Sequence, residues 1–152
     1  MNTPDMRDLV PHSGTMVLLD RVLSVDGDGL CAEVAIHAGS VFCEHGEVGA
    51  WVGIEYMAQA IAAHAGYCAR LRGEPVKLGF LLGSRRYTSR VGGFRAGTVL
   101  TVCVQRVLQG ENGLGAFECR IEDDSATALA TALVTVFQPP DVDAFLHGAE
   151  YE

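Results

Sequence analysis

The sequence predicts an α+β fold in which an antiparallel sheet of about six strands wraps around one long central helix. One alanine-rich helical segment lies between strand signals on both sides, and tight turns join the later strands. A parallel sheet needs a crossover helix for each strand, so a chain with a single long helix excludes that architecture. With 49% hydrophobic and 20% charged residues, the chain has enough apolar side chains for one core.

The first two strands are predicted to form a hairpin. Residues 17–25 are apolar and β-branched, and the turn residues Asp26 to Gly29 follow them. In residues 30–37 the side chains alternate between apolar and more polar types, which is the period of a strand with one buried face. The turn between the two segments favours an antiparallel pair.

The central helix is predicted over residues 49–72. The segment contains no proline, and Gly73 and Pro75 provide a stop signal after it. Residues 56–69 carry no formal charge. A helix that is apolar around nearly its whole circumference must be enclosed by other structure, so we expect the sheet to surround it.

Only strand signals follow the helix. The predicted strands are residues 77–90 with an interior glycine at position 83, 98–108, 115–122 and 127–137. The two prolines at positions 139 and 140 end the last strand. We therefore expect one domain over residues 1–140 and a loose acidic tail over residues 141–152.

Charge and hydropathy predict a cytoplasmic domain that binds neither nucleic acid nor membranes. Lys and Arg total 11 against 19 Asp and Glu, a formal net charge of −8, which disfavours general nucleic-acid binding. The first residues lack the basic start and apolar run of a signal peptide. The most apolar stretch, residues 48–69, carries a Glu, a Gln and a His, so we interpret it as a buried helix.

The five cysteines are widely spaced and include no C-x-x-C pair. We expect them to be free thiols, as in a reducing compartment. Cys43, His45 and His37 lack a standard spacing for metal ligands, so we expect no metal site.

Two polar residues of the helix carry the strongest functional signal. Glu55 and Gln59 are four residues apart, and hence on one face, within a nearly continuous apolar surface. A carboxylate is costly to bury unless it is paired, neutralised or directed into a cavity. Glu55 is therefore a candidate general acid, with a hydrogen-bonded structural glutamate as the equal alternative. His64 is about 180° around the helix from Glu55, so we interpret it as structural.

At these residues the sequence resembles a known family. Residues 10–22, V-P-H-S-G-T-M-V-L-L-D-R-V, are similar without gaps to the opening of FabZ-type 3-hydroxyacyl-[acyl-carrier-protein] dehydratases. Residues 54–60, I-E-Y-M-A-Q-A, resemble the helix that carries the catalytic carboxylate of that family. The likeness is greater to hotdog-fold dehydratases associated with aryl-polyene-type synthesis, which carry W-V-G-I-E-Y-M-A-Q, here residues 51–59. The resemblance extends over residues 9–138.

The resemblance implies a hotdog fold and reversible dehydration of a 3-hydroxyacyl thioester to the trans-2-enoyl thioester, without a metal or organic cofactor. It also implies active sites at the interface of a homodimer, of a heterodimer with another hotdog subunit, or of a higher oligomer. On the motif positions, His45 would remove the C2 proton and Glu55 would protonate the departing hydroxyl. The residues that would bind the substrate, through backbone N–H groups or side chains, are Val48, Gly49, Ala50 and Gln59.

The sequence departs from the FabZ pattern before the helix. His45 and Glu55 are ten residues apart where that pattern has fourteen, and the family's H-F-P-G-N-P loop is replaced by H-G-E-V-G over residues 45–49. Catalysis tolerates little misplacement, so the shorter loop leaves two alternatives open. One is a hotdog acyl-thioesterase that uses the helix carboxylate without a histidine. The other is a non-catalytic hotdog subunit of a heterodimeric dehydratase.

A basic segment predicts an anionic partner. Residues 70–95 contain seven of the 11 basic residues, and Glu74 is their only acidic residue. Such a segment in an acidic protein can steer acyl carrier protein or a CoA thioester. We predict Arg85, Arg86 and Arg90 as carrier contacts, with a solvated strand face as the equal alternative.

Overall fold

The described residues of this computed structural model, 3–10, 16–74, 81–110 and 113–137, contain two helices and nine strands. In chain order these are α1 (Met6–Leu9), β1 (Arg21–Val25), β2 (Gly29–Ala35), β3 (Cys43–Glu44), β4 (Glu47–Gly49), α2 (Gly53–Leu71), β5 (Leu81–Ser89), β6 (Gly93–Arg95), β7 (Val99–Gln109), β8 (Leu114–Glu122) and β9 (Ala128–Phe137). The expected tail, the proline pair, residues 77–80 of the strand expected over 77–90 and residues 11–15 of the N-terminal motif lie outside the described residues.

Six strands form one antiparallel sheet, as the sequence predicts, and their order is β1-β2-β7-β8-β9-β5. The hairpin predicted for the first two strands is β1 and β2. Strands β3, β4 and β6 form a second sheet that the sequence does not predict. Strands β1 and β5 end the large sheet, so each has one edge unpaired within the described chain.

Helix α2 lies in the core, as its apolar circumference predicts. Met57, Ala60 and Ile61 are at most 1% exposed, and they pack with inward-facing strand residues such as Leu100 and Val102. Burial of a large aliphatic side chain stabilises the fold by about 1.5–3 kcal/mol. In the described part of the chain, neither helix has the length and hydropathy required to traverse a bilayer.

The two ends of α2 are positioned by different contacts. A 3₁₀ turn, Ala50–Val52, precedes the helix, which begins at Gly53 instead of residue 49. Helix α1, which the sequence does not predict, packs against α2 at Gly66. A Cβ added to Gly66 would overlap the backbone of Leu9, so glycine allows the two helices to approach this closely.

Two of the five cysteines are joined, which contradicts the expectation of five free thiols. Cys31 on β2 and Cys103 on β7 face each other in the antiparallel register and form a disulfide. The other three, Cys43, Cys68 and Cys119, are free. The local sequence predicts both strands correctly, but the pairing of β2 with β7 is a long-range property that brings the two sulfurs together.

Candidate active site

Glu55 lies in the first turn of α2, and its side chain is half-buried. Its Oε1 atom is 3.4 Å from Nε2 of Gln59, one helical turn further on. The N–H groups at the start of a helix favour a carboxylate at this position. The helix therefore presents one acidic group at its N-terminal end, oriented by a neighbouring amide.

The Gln59 side chain is completely buried. Its Oε1 accepts a hydrogen bond from the Leu18 N–H at 2.8 Å, and its Nε2 donates to the Met16 carbonyl at 2.6 Å. The sequence predicts substrate binding for Gln59, but the amide has no exposed surface in the chain and is occupied by the backbone of residues 16–18. Its contacts suit it to orient Glu55 instead.

His45 lies at the tip of the hairpin formed by β3 and β4. The two residues of the turn, His45 and Gly46, have φ angles of 54° and 80°, the left-handed pair of a type I′ turn. The His45 side chain is exposed. Among the hydrogen bonds and ion pairs of the described residues, none joins His45 to Glu55 within one chain.

Before α2, one of the predicted binding groups already has a backbone partner. The N–H of Ala50 donates to the Gly92 carbonyl at 3.0 Å, so it is not available to a substrate. Val48, two residues earlier, pairs with Phe94, so its N–H also faces β6 in the antiparallel pattern. The N–H of Gly49, between them, faces the opposite side.

Trp51, the first residue of the motif over residues 51–59, supplies a donor and an apolar surface for which the sequence analysis predicts no role. Its N–H belongs to the first residues of the 3₁₀ turn, which have no acceptor inside the turn. Its indole is 65% exposed and meets Phe42, which is 46% exposed, edge to face with ring centroids 5.3 Å apart. The sequence could predict this N–H as a donor only if it gave the exact first residue of the 3₁₀ turn. The exposure of the indole depends on the tertiary fold, so the sequence does not predict it.

A buried phenol lies behind the site. Tyr56, adjacent to Glu55 in the chain, is 2% exposed, and its ring packs near Phe94. Burial, with a smaller contribution from the Asp20 carboxylate, raises the pKa of Tyr56 to about 12. Tyr56 is therefore a neutral group at physiological pH and contributes packing and not charge.

His64 contacts the β1–β2 turn and not the Glu55 side of the helix. Its Nε2 is 3.1 Å from the Asp26 carbonyl and 3.6 Å from the sulfur of Cys68. Burial lowers the pKa of His64, and the positive charge of Arg106 lowers it further. These contacts agree with a neutral structural histidine that joins the helix to the turn.

Of the predicted carrier contacts, Arg85 and Arg86 lie on the end strand β5, and Arg90 directly follows it. The side chains of Arg86 and Arg90 are exposed, whereas that of Arg85 lies outside the described residues. Among the described residues, no group of three or more His, Cys, Asp or Glu side chains is arranged to hold a metal ion.

Comparison with known proteins gives this geometry a context. A sequence model of the ApeP-like family, described as ApeP dehydratase, matches residues 4–147. The chain is similar to a chain of the dehydratase heterocomplex ApeI:P from Xenorhabdus doucetiae, with 27% identity, a TM-score of 0.85, and coverage of 95% of this chain and 97% of that chain. No curated protein matches the chain.

More distant structures share the fold alone. One is the PaaI protein from the phenylacetic acid degradation operon of E. coli, with 14% identity, a TM-score of 0.62, and coverage of 77% of this chain and 81% of that chain. Another is a hypothetical thioesterase from Streptococcus pneumoniae, solved with coenzyme A, with 12% identity, a TM-score of 0.61, and coverage of 77% and 83%. The enclosed helix, the six-stranded sheet and the family match show that this chain is a hotdog-fold protein of the ApeP-like dehydratase family, of the aryl-polyene type.

Proposed function

We propose that this chain dehydrates a 3-hydroxyacyl thioester, carried on acyl carrier protein, to the trans-2-enoyl thioester in aryl-polyene or fatty-acid biosynthesis. The observation that carries the proposal is the Glu55 carboxylate at the start of a buried helix, oriented by Gln59, in a member of a dehydratase family. Its carboxyl group can protonate a departing hydroxyl, and the helix N-terminus stabilises the carboxylate that this transfer leaves.

The proposed reaction divides the proton transfers between two groups. His45 takes the proton from C2, and the electron pair of that bond develops enolate-like charge on the thioester oxygen. The N–H groups of Gly49 and Trp51 stabilise this oxygen, since those of Val48 and Ala50 face β6. Glu55 then donates its proton to the C3 hydroxyl, the C–O bond breaks, water leaves, and the C2–C3 double bond forms.

The two catalytic groups come from different chains in this proposal. Within one chain His45 is exposed at a hairpin tip, and no hydrogen bond of the described residues joins it to Glu55. Among the described residues, no strand pairs with the outer edge of the nine-residue strand β5, and such an edge is a template for a strand of a second hotdog subunit. The similar X. doucetiae chain belongs to a heterocomplex, which supports a heterodimer for this chain as well as a homodimer.

A second candidate function is a non-catalytic subunit that completes the site of an active partner. The bond from Ala50 N–H to the Gly92 carbonyl favours it, because it removes one donor from the thioester site. The acyl-thioesterase alternative would use the Glu55 carboxylate without a histidine partner. Release of free thiol from an acyl thioester would identify it.

The test follows the enoyl absorbance of a 3-hydroxyacyl thioester with the purified chain, alone and with its co-purified hotdog partner. Glu55→Gln removes the acid, and His45→Asn removes the base while it keeps a residue that accepts the left-handed turn. Loss of activity in both variants, with the fold retained, supports the dehydratase. Activity that survives His45→Asn places the base elsewhere. The non-catalytic subunit is supported if the chain is inactive alone and if its complex keeps its activity after Glu55→Gln.

A further inference from the structure

Tyr87 joins the end strand β5 to the turn that precedes α2. Its hydroxyl donates a hydrogen bond to the Ala50 carbonyl at 2.6 Å. The side chain is half-buried, and this burial raises the pKa of Tyr87, so the phenol keeps its proton at neutral pH and acts as a donor. No sequence motif singles out this residue.

The position of the phenol is fixed by the shape of the helix start. A Cβ added to Gly53, the first residue of α2, would overlap the Tyr87 hydroxyl. The same Cβ would also be 3.0 Å from Cδ1 of Ile121, so the space beside Gly53 is filled from two directions. Tyr87 itself is held in register by its pairing with Ala132 on β9.

The hydrogen bond acts on the peptide unit that contains the Trp51 N–H. The Ala50 carbonyl and the Trp51 N–H belong to one planar trans peptide, so they point in opposite directions. The carbonyl also accepts the N–H of Gly53, and the Ala50 N–H is held by Gly92. A hydrogen bond to the carbonyl both orients the peptide and polarises it, which makes the N–H at the other end a stronger donor.

We infer that Tyr87 is a positioning residue that orients and polarises the Trp51 N–H for the thioester oxygen. This inference rests on the proposed dehydration and adds a residue to it. Tyr87 acts through the Ala50–Trp51 peptide and does not touch the substrate. Because it belongs to the end strand, the same hydrogen bond connects the edge proposed for subunit pairing to the oxyanion site.

The test is Tyr87→Phe, which keeps the ring and removes the donor. In the active complex, kcat should fall by about 10- to 100-fold while KM changes by less than about threefold, because the lost interaction strengthens in the transition state. Amide hydrogen exchange at Trp51 should become slower, because the N–H of a less polarised peptide is a weaker acid. Tyr67→Phe, on a partly buried tyrosine of α2, is the matched control and should leave both measurements at their wild-type values.

A second variant approaches the same bond from the other side. Gly53→Ala should displace the Tyr87 hydroxyl and reduce kcat similarly, and the double variant should lose little more than either single one. A folded Tyr87→Phe with wild-type kcat overturns the inference, and so does a loss of kcat with unchanged exchange at Trp51. If the wild-type complex has no dehydratase activity, the proposed function fails, and the exchange at Trp51 alone decides whether Tyr87 positions this peptide.

Discussion

The Gln59 amide connects Glu55 to the backbone of residues 16–18, with Nε2 3.4 Å from the Glu55 carboxylate and 2.6 Å from the Met16 carbonyl. One side chain thus holds both the proposed acid and the segment beside it. Stability and activity therefore depend on the same amide group.

We predict that Gln59→Glu reduces both the stability and the activity of the chain. The variant keeps the shape of the side chain but replaces the Nε2 donor, so the Met16 carbonyl loses its partner and a second carboxylate lies beside Glu55. We expect a loss of about 1–3 kcal/mol in the free energy of unfolding, measured in denaturant, and a fall in kcat of at least about tenfold. Gln109→Glu, at an exposed position opposite Gly115, should change neither, and equal effects of the two variants would contradict this role.

The burial of His64 predicts a loss of stability on acidification. Its pKa lies below the ordinary value of 6.5 in the folded chain, so the unfolded chain binds the proton first as the pH falls. The stabilisation is complete above about pH 6.5 and decreases below it, by at most about 1.4 kcal/mol for each pH unit. The measurement is the free energy of unfolding between about pH 7.5 and about pH 5.5.

The control for this prediction compares how steeply the free energy of unfolding changes with pH, and not its absolute value. His64→Gln should flatten the pH dependence, because it removes the buried titrating ring. His37→Gln, which changes an exposed histidine, should keep the wild-type slope. A wild-type slope in His64→Gln would assign the acid sensitivity to other groups.

The Cys31–Cys103 disulfide predicts a thiol count and a stability change. Unfolded without reductant, the chain should expose three reactive thiols, and with reductant five. The bond closes a long loop, with a sequence separation of 72 residues, so Cys31→Ser should lower the free energy of unfolding by about 2–4 kcal/mol. Cys43→Ser should remove one thiol and leave the stability nearly unchanged. Five reactive thiols in the unreduced chain would show that the bond does not form.

The exposed Arg86 on β5 predicts a preference for carrier-linked substrates. Arg86→Glu should lower kcat/KM for a carrier-linked thioester by about tenfold at low salt, because it repels an acidic carrier. An uncharged cysteamine thioester should be turned over as by the wild type. Arg21→Glu makes the same change of charge on β1, at the other end of the sheet, and should not discriminate between the two substrates. Equal losses for both substrates with Arg86→Glu would exclude steering.

Local periodicity is sufficient to predict the six long strands and the central helix. Each of these elements repeats its signal over several residues, whether as alternation in a strand or as an apolar circumference in α2. The second sheet is different because β3 and β6 contain two and three residues, too few for a period. The pairing of β4 with β6 also joins segments that are more than forty residues apart, as between Val48 and Phe94.

The candidate site likewise combines residues that have a local sequence signal with long-range contacts that have none. Glu55 and Gln59 are detectable because polar residues stand out in an apolar helix, whereas the contacts that give them different roles come from residues 16–18. The Ala50 N–H is predicted as a substrate donor from its place before the helix, but the Gly92 carbonyl reaches it from a distant loop. Tyr87 carries no local signal, because its role depends on which peptide its strand meets.

Folding of the hairpin and the proposed proton transfer restrict the residue at position 45 in different ways. Folding of the hairpin favours glycine, asparagine, aspartate or histidine there, since other side chains are costly at a positive φ. Proton transfer, as proposed, accepts histidine alone. In a saturation library, selection for abundance and selection for turnover should therefore return different lists at position 45, and histidine should be the member common to both.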